Sequence, residues 1–161
     1  MRDGTRLAAN VFLPRERSGG VPAILEFTPY SRDSGSPEGV KFGAEGFAFV
    51  SVDCRGRGNS EGVFLGHGRE EADDGYDLVE WVAAQPWCNG DVAMFGGSYT
   101  GQNQWTTAAG HPPHLRTIIP AVASMGGLAP GAVGIPTDHQ FTWGMLTAGK
   151  SLSQRLVAEV D

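Results

Sequence analysis

The chain has 161 residues, 40% of them hydrophobic, which suits one domain with a real core and argues against intrinsic disorder. Twelve lysines and arginines against 18 aspartates and glutamates give a net charge of −6. This charge, without a basic cluster, argues against a nucleic-acid-binding surface or a patch for anionic membranes. The 24 glycines, about twice the usual share, form no repeat and predict many tight turns.

No targeting or membrane segment is predicted. No stretch approaches 18 apolar residues, and no apolar segment of the kind found in secretion signals follows Met1. Cys54 and Cys88 lack the spacing of a metal or redox motif and are expected to be reduced thiols. We therefore expect a cytoplasmic protein that does not associate with membranes.

Short apolar runs alternate with helix-like segments along most of the chain. Strands are predicted at residues 6–13, 21–27, 47–52, 92–95 and 115–119, the last one ended by Pro120 and the fourth preceded by a turn at Asn89-Gly90. Helices are predicted to end at 40–45 and to cover 70–85 and about 99–109. The alternation predicts an α/β fold with a mostly parallel sheet covered by helices on both faces, in which the initial strand pair is a candidate for an antiparallel arrangement.

The segment Gly96-Gly97-Ser98-Tyr99-Thr100-Gly101 lies between a predicted strand and a predicted helix. A nucleophile elbow requires this context, because its sharp turn projects the serine hydroxyl above the sheet and tolerates only small neighbours. The last glycine stands three residues after Ser98, one later than in the GxSxG pattern. The alternative is a glycine-rich turn in which Ser98 is an ordinary N-cap.

Tyr30 follows the second predicted strand in Thr28-Pro29-Tyr30. In α/β-hydrolases the second donor of the oxyanion hole comes from this place, beside the amide of the residue after the nucleophile. A tyrosine hydroxyl is able to serve as this donor. The alternative is a loop tyrosine that packs on Pro29.

The remaining motifs predict no cofactor and no metal. The loop at 55–62 contains Gly56-x-Gly58, but its third glycine comes one position late and no helix begins there, which argues against dinucleotide binding. No phosphate-binding GxxxxGK[ST] loop is present in the sequence. An acidic helix N-terminus explains the acids that follow His67 better than a metal site does: Glu70, Glu71, Asp73 and Asp74.

Taken together, these motifs resemble the N-terminal part of the cocaine-esterase / X-prolyl dipeptidyl peptidase family of α/β-hydrolases. The blocks that carry the resemblance are MRDGTRL at 1–7, TPY at 28–30, DCRGRG at 53–58, DDGYD at 73–77, QPWCNG at 85–90, GGSYTG at 96–101 and PPHL at 112–115. They follow the family order over roughly the first 125 residues, which is more specific than an isolated elbow.

The resemblance implies that Ser98 is the nucleophile and that the Tyr99 amide and the Tyr30 hydroxyl bind the oxyanion. It also implies that residues 1–121 form the N-terminal part of a catalytic domain and that 122–161 begin a helical cap. The triad order is Ser…Asp…His, and the resemblance implies that the acid and the base follow the cap, so they are expected beyond Asp161. The last helix-like pattern reaches Asp161 without the residues that usually end a helix. We therefore expect a truncated domain that is inactive by itself.

The histidines of the chain are not assigned as bases. His111 and His114 are expected on the surface between a helix and a strand, and Asp138 and His139 are sequence neighbours that rarely align as acid and base. The predicted function is a serine hydrolase that cleaves esters or amides of small molecules through an acyl-enzyme. An X-prolyl dipeptidyl peptidase and a non-catalytic fragment are the alternatives, and the oligomeric state is left open.

Overall fold

The computed structural model describes residues 1–66, 68–123, 143–144, 146–147 and 149–150. Within them, one sheet has the strand order β1-β3-β2-β4-β5. Its strands are β1 (Ala9–Phe12), β2 (Val21–Thr28), β3 (Ala48–Asp53), β4 (Cys88–Gly97) and β5 (Leu115–Ala121). The helices are α1 (Ser36–Ala44), α2 (Arg69–Ala83) and α3 (Tyr99–Ala109), with a 3₁₀ turn at Arg32–Gly35.

Helices cover both faces of the central strands, as predicted. Every residue of β3 is buried, which is typical of a parallel strand packed on two sides. On one face Phe42 of α1 stacks on Phe49, with ring centroids 5.6 Å apart. On the other face the core combines apolar residues of α2 with those of the strands: Leu78, Val79 and Val82 with Leu25, Val50, Val52 and Met94.

Several predictions about strand direction and strand boundaries need correction. Of the initial strand pair, only β1 is antiparallel, and β2 runs parallel to both β3 and β4. Asn89-Gly90 lies within β4, and Pro120 does not end β5 but pairs with Gly96 inside it. Proline is compatible with β5 because, among the described strands, β5 pairs only with β4. Helix α1 begins at Ser36 and ends at Ala44, within the predicted helix end at 40–45, with Pro37 in its first turn, where proline is tolerated.

No helix in the described part of the chain is long and apolar enough to cross a membrane. Cys54 is buried and Cys88 is partly buried, and neither forms a disulfide.

Helices α2 and α3 meet at Gly75, where a methyl group does not fit. A Cβ at this position lies 2.0 Å from Thr107 Oγ1 and 3.1 Å from Thr107 Cβ. The Thr107 hydroxyl is buried and has no hydrogen-bond partner among the described residues. The close approach of the helices therefore depends on a glycine opposite a threonine.

We predict that Gly75→Ala destabilises the protein by up to about 2 kcal/mol. Overpacking a core usually costs about 1–3 kcal/mol, and the better helix propensity of alanine offsets about 1 kcal/mol of this cost. Thr107→Ala removes the hydroxyl that the new methyl group meets. Urea unfolding of the single and double variants is the measurement, and the double variant is expected to be more stable than the sum of the two single changes predicts. Strict additivity would contradict this account of the contact.

Glu26 of β2 is a partly buried carboxyl that accepts a hydrogen bond of 2.7 Å from Ser51 Oγ. Burial raises the pKa of Glu26 above its ordinary value of 4.5. Between the ordinary and the raised pKa the folded protein binds more protons than the unfolded chain. The contribution of Glu26 to stability therefore declines as the pH rises from about 4.5 through the folded-state pKa.

We predict that Glu26→Gln flattens this part of the stability profile and raises stability at neutral pH, because the amide oxygen still accepts from Ser51 without carrying a charge. Chemical denaturation between pH 4 and pH 8 measures the effect. Parallel profiles for the two proteins would show that Glu26 does not cause the decline.

Candidate active site

Ser98 occupies the sharp turn between β4 and α3. Its φ of 57° and ψ of −121° are strained for a residue other than glycine. The Ser98 amide donates to the carbonyl of Ala121 at 2.9 Å, and the Ser98 carbonyl accepts from Gly101 and Gln102 at 3.0 Å each. The side chain is exposed above the carboxyl end of β4. This is the geometry of a nucleophile elbow.

The glycines at positions 96 and 101, close to Ser98, leave no room for a side chain. Gly96 has a φ of +147°, and a Cβ there lies 2.2 Å from Thr100 Oγ1. A Cβ at Gly101 lies 2.7 Å from Ala123 Cβ and 3.0 Å from the Ala121 carbonyl oxygen. Thr100, the residue that departs from the GxSxG pattern, is buried and donates from Oγ1 to the Gly97 carbonyl at 2.7 Å. The turn therefore accommodates threonine at this position and needs glycine at the next.

Tyr30 lies beside Ser98, although 68 residues separate them in the chain. The Tyr30 hydroxyl is 3.2 Å from Ser98 Oγ, within hydrogen-bond reach. The Tyr30 amide donates to Thr28 Oγ1 at 3.0 Å, which fixes the turn after β2. Trp143 Nε1 donates to the Tyr30 hydroxyl at 3.4 Å. The parallel strands β2 and β4 end at the same edge of the sheet and so bring Tyr30 and Ser98 together.

The side chain of Tyr99 points away from this surface into the core. Its hydroxyl donates to Glu71 Oε1 at 2.6 Å. Burial, and to a smaller extent the adjacent Glu71 carboxylate, raise the pKa of this hydroxyl. The ring stacks on Trp143 at a centroid distance of 5.5 Å and contacts Phe64 at 5.6 Å. The backbone amide of Tyr99 begins α3, where the helix dipole favours negative charge.

Two of the acids assigned to the acidic N-terminus of a helix are buried and have specific partners. Glu71 contacts Tyr99, and Asp74 binds Arg55 through two hydrogen bonds of 2.9 and 2.6 Å. Glu71 lies at the start of α2 but faces the core, so the helix dipole alone does not explain it. In the described part of the chain, no group of three or more potential ligands is arranged to hold a metal ion, and His67 lies outside that part.

The glycine-rich loop after β3 packs around Asp53 and contacts the turn that carries Tyr30. Asp53 is fully buried, accepts from the Arg32 amide at 2.8 Å and forms an ion pair with the Arg32 guanidinium. Gly58 has a φ of +48°, and a Cβ there lies 2.1 Å from Asp53 Oδ2. Arg57 is buried and donates from Nε to the Pro29 carbonyl at 2.8 Å. The Gly-x-Gly pattern thus serves close packing around a buried carboxylate.

Sequence analysis missed Asp53, Arg57 and Trp143 as contributors to the site. Asp53 and Arg57 stand in the DCRGRG block, which by itself predicts only the resemblance to the family. A signal was present there, because charged residues directly after a continuously buried strand lie at the carboxyl end of the sheet. Trp143 gave no comparable signal, since no pattern at 121–143 connects it with Tyr30.

The described histidines lie far from the elbow along the sheet. His111 is exposed, and His114 Nδ1 is 2.7 Å from Glu80 Oε2. Both precede β5 and therefore stand at the edge of the sheet opposite to Ser98, as expected. Asp138 and His139 lie outside the described residues. The described residues bring no histidine to Ser98.

Comparison with known proteins identifies the family. A model of the family described as X-Pro dipeptidyl-peptidase (S15 family) matches residues 3–159. The chain belongs to this family. It is 39% identical over 130 residues to a cocaine esterase of Rhodococcus sp. (strain MB1 Bresler), covering 77% of this chain and 22% of that protein. It is 28% identical over 156 residues to a putative Xaa-Pro dipeptidyl-peptidase of Streptomyces avermitilis, covering 73% and 23%.

Solved structures confirm the α/β-hydrolase fold for this member of the S15 family. A CocE/NonD family hydrolase from Staphylococcus aureus has a TM-score of 0.67 and 31% identity, covering 73% of this chain and 25% of that one. An alpha-amino acid ester hydrolase has a TM-score of 0.78 and 23% identity, covering 94% and 29%. The chain spans about a quarter of the length of these relatives.

Proposed function

We propose that residues 1–121 are the N-terminal part of the catalytic domain of a serine hydrolase and that residues 122–161 begin its helical cap. The observation that carries this proposal is the strained Ser98 at the end of β4 with the Tyr30 hydroxyl 3.2 Å from its Oγ. The esterase and peptidase names of the relatives support the same reaction class. We also propose a cytoplasmic location and a small-molecule ester or amide substrate.

In the proposed reaction Ser98 Oγ attacks the carbonyl carbon of the substrate and gives its proton to a histidine base. The tetrahedral oxyanion accepts hydrogen bonds from the Tyr30 hydroxyl and the Tyr99 amide. Collapse breaks the bond to the leaving group, which takes the proton from the histidine, and water then hydrolyses the acyl-enzyme. The acid and base are supplied by parts of the protein outside the described residues.

An ester is the preferred substrate class in this proposal. An X-prolyl dipeptidyl peptidase holds the N-terminal ammonium of its peptide, which calls for an available carboxylate close to the nucleophile. Glu71 is the buried carboxylate that contacts the elbow residue Tyr99. It already accepts a hydrogen bond from the Tyr99 hydroxyl, which argues against its use for a substrate ammonium group. The higher identity to the cocaine esterase, 39% against 28% for the putative peptidase, supports the same choice.

Labelling with a fluorophosphonate tests the proposal in the full-length protein. An activated serine displaces fluoride and becomes phosphonylated, and peptide mass spectrometry is expected to locate the adduct on Ser98. Turnover of p-nitrophenyl acetate and of Gly-Pro-p-nitroanilide then separates esterase from peptidase activity. A folded full-length protein that neither labels nor turns over either substrate would support the non-catalytic alternative.

A further inference from the structure

Arg57 is a buried cation that binds backbone rather than a carboxylate. Its side chain is 1% exposed, and burial lowers the pKa of its guanidinium. None of the ion pairs among the described residues includes Arg57, in contrast to Arg55, which pairs with Asp74 and Asp3. The Arg57 guanidinium carbon lies 5.7 Å from the centre of the Phe64 ring. Burial of a cation is costly, so its hydrogen bonds to carbonyls matter for its placement.

The two carbonyls that Arg57 binds belong to the two segments that meet at Tyr30. Arg57 Nε donates to the carbonyl of Pro29, the residue before Tyr30, at 2.8 Å. Arg57 Nη1 donates to the carbonyl of Thr147 at 2.6 Å. Thr147 in turn lies one helical turn after Trp143, and its Oγ1 donates to the Trp143 carbonyl at 2.9 Å. One planar guanidinium therefore connects the Tyr30 turn with the helical residues that carry Trp143.

Further hydrogen bonds hold the same loop against Lys150, which follows these helical residues. The Gly58 amide donates to the Lys150 carbonyl at 2.6 Å, and Lys150 Nζ donates to the Ser60 carbonyl at 3.3 Å. The loop at 57–60 thus contacts the segment that contains Trp143 at three points, of which the Arg57 contact is the buried one.

The hydrogen bond between Trp143 and Tyr30 restricts where the Tyr30 proton points. Indole Nε1 is a donor only, so the Tyr30 oxygen must be the acceptor in this contact. The Tyr30 proton is therefore directed away from Trp143 and toward the Ser98 side, where the oxyanion forms in the proposed reaction. A hydroxyl that accepts a hydrogen bond also becomes a better donor.

We propose that Arg57 is a positioning residue of the oxyanion hole. It fixes Tyr30 and Trp143 against each other, so that the Trp143 indole N–H engages the Tyr30 oxygen and leaves the Tyr30 proton for the oxyanion. The inference rests on the proposed role of Tyr30 as an oxyanion donor and adds to it two residues that act through Tyr30.

Trp143→Phe and Arg57→Lys in the full-length protein test this inference. Phenylalanine keeps an aromatic ring on Tyr99 but removes the indole donor, and lysine keeps the charge but has one nitrogen for two carbonyls. Each change is expected to disturb the neutral hydrogen bond from Trp143 Nε1 to Tyr30, and so to lower kcat for p-nitrophenyl acetate and the rate of Ser98 phosphonylation by about 3- to 10-fold, the usual effect of losing one such bond. KM is expected to stay the same. Arg55→Lys, in the same loop but bound to Asp74, is the control, and it is expected to lower thermal stability without changing kcat.

A double-mutant cycle with Tyr30→Phe distinguishes positioning from a general loss of structure. In the Tyr30→Phe background, Trp143→Phe and Arg57→Lys are expected to have almost no further effect on kcat, because the hydroxyl through which they act is absent. An equal loss in both backgrounds, or an unchanged kcat for Trp143→Phe, would overturn the inference. If Arg57→Lys fails to fold, Trp143→Phe decides.

The cycle also separates failure of this inference from failure of the proposed function. If Tyr30→Phe lowers kcat and Trp143→Phe does not, Tyr30 is an oxyanion donor but Arg57 and Trp143 do not position it. If Tyr30→Phe itself leaves kcat unchanged while Ser98 still labels, the role of Tyr30 fails and the inference fails with it.

Discussion

Ser98→Ala in the full-length protein is expected to lower kcat for ester hydrolysis by about 10⁶-fold, as removal of a serine nucleophile does elsewhere. Without Oγ there is no atom that forms the acyl-enzyme, and the remaining rate comes from binding and the oxyanion hole alone. Turnover of p-nitrophenyl acetate and fluorophosphonate labelling are the measurements. Turnover at the wild-type rate would show that Ser98 is not the nucleophile.

Ser98→Gly is the matched control for folding. Ser98 has a φ of 57°, which glycine adopts without strain. We therefore expect Ser98→Gly to be as inactive as Ser98→Ala and at least as stable as the wild type in thermal unfolding. Loss of activity in both variants without loss of stability assigns the effect to the missing hydroxyl. A glycine variant that unfolds more easily than the alanine variant would contradict the strain at the elbow.

The fold was largely predictable because its central strands are continuous apolar runs. The predicted helix at about 99–109 coincides with α3, and the strand predicted at 21–27 differs from β2 by one residue. Local turn signals were only partly right about strand boundaries. Asn89-Gly90 reads as a turn before a strand, but it forms an irregular stretch inside β4: Val21 pairs with Cys88, the next pair is Ala23 with Val92, and Gly90 has a φ of 94°. A hydrogen-bonded neighbour is not visible in the local pattern.

The proximity of Ser98 and Tyr30 was also predictable, because residues that follow parallel strands meet at one edge of the sheet. The environment of Arg57 was not. Its two carbonyl partners are 28 and 90 residues away in the chain. A charged residue in a glycine-rich loop is normally exposed, and only these distant partners make its burial favourable. Sequence pattern reports periodicity and turn chemistry, whereas such contacts depend on how remote segments pack.

Tyr30→Phe in the full-length protein is expected to lower kcat by about 10²–10³-fold, the usual effect of losing one oxyanion-hole donor. The hydroxyl now lies 3.2 Å from Ser98 Oγ, and the oxyanion would form next to that atom. The charge on the oxygen develops only as the tetrahedral intermediate forms, so the donor stabilises the transition state more than the bound substrate. The loss should therefore appear in kcat, with KM little changed.

Tyr76→Phe on α2 is the matched control, because it removes a phenol hydroxyl from a ring that contacts Arg2 rather than the elbow. It is expected to leave kcat unchanged, and both variants are expected to unfold near the wild-type temperature, since neither removes packed apolar atoms. Phosphonylation of Ser98 should slow in parallel with kcat in Tyr30→Phe, because the phosphonate oxygen occupies the same hole. An unchanged kcat in Tyr30→Phe would assign Tyr30 to packing. A rise in KM with kcat intact would instead make it a substrate-binding residue, because only a donor aimed at the developing oxyanion acts selectively on kcat.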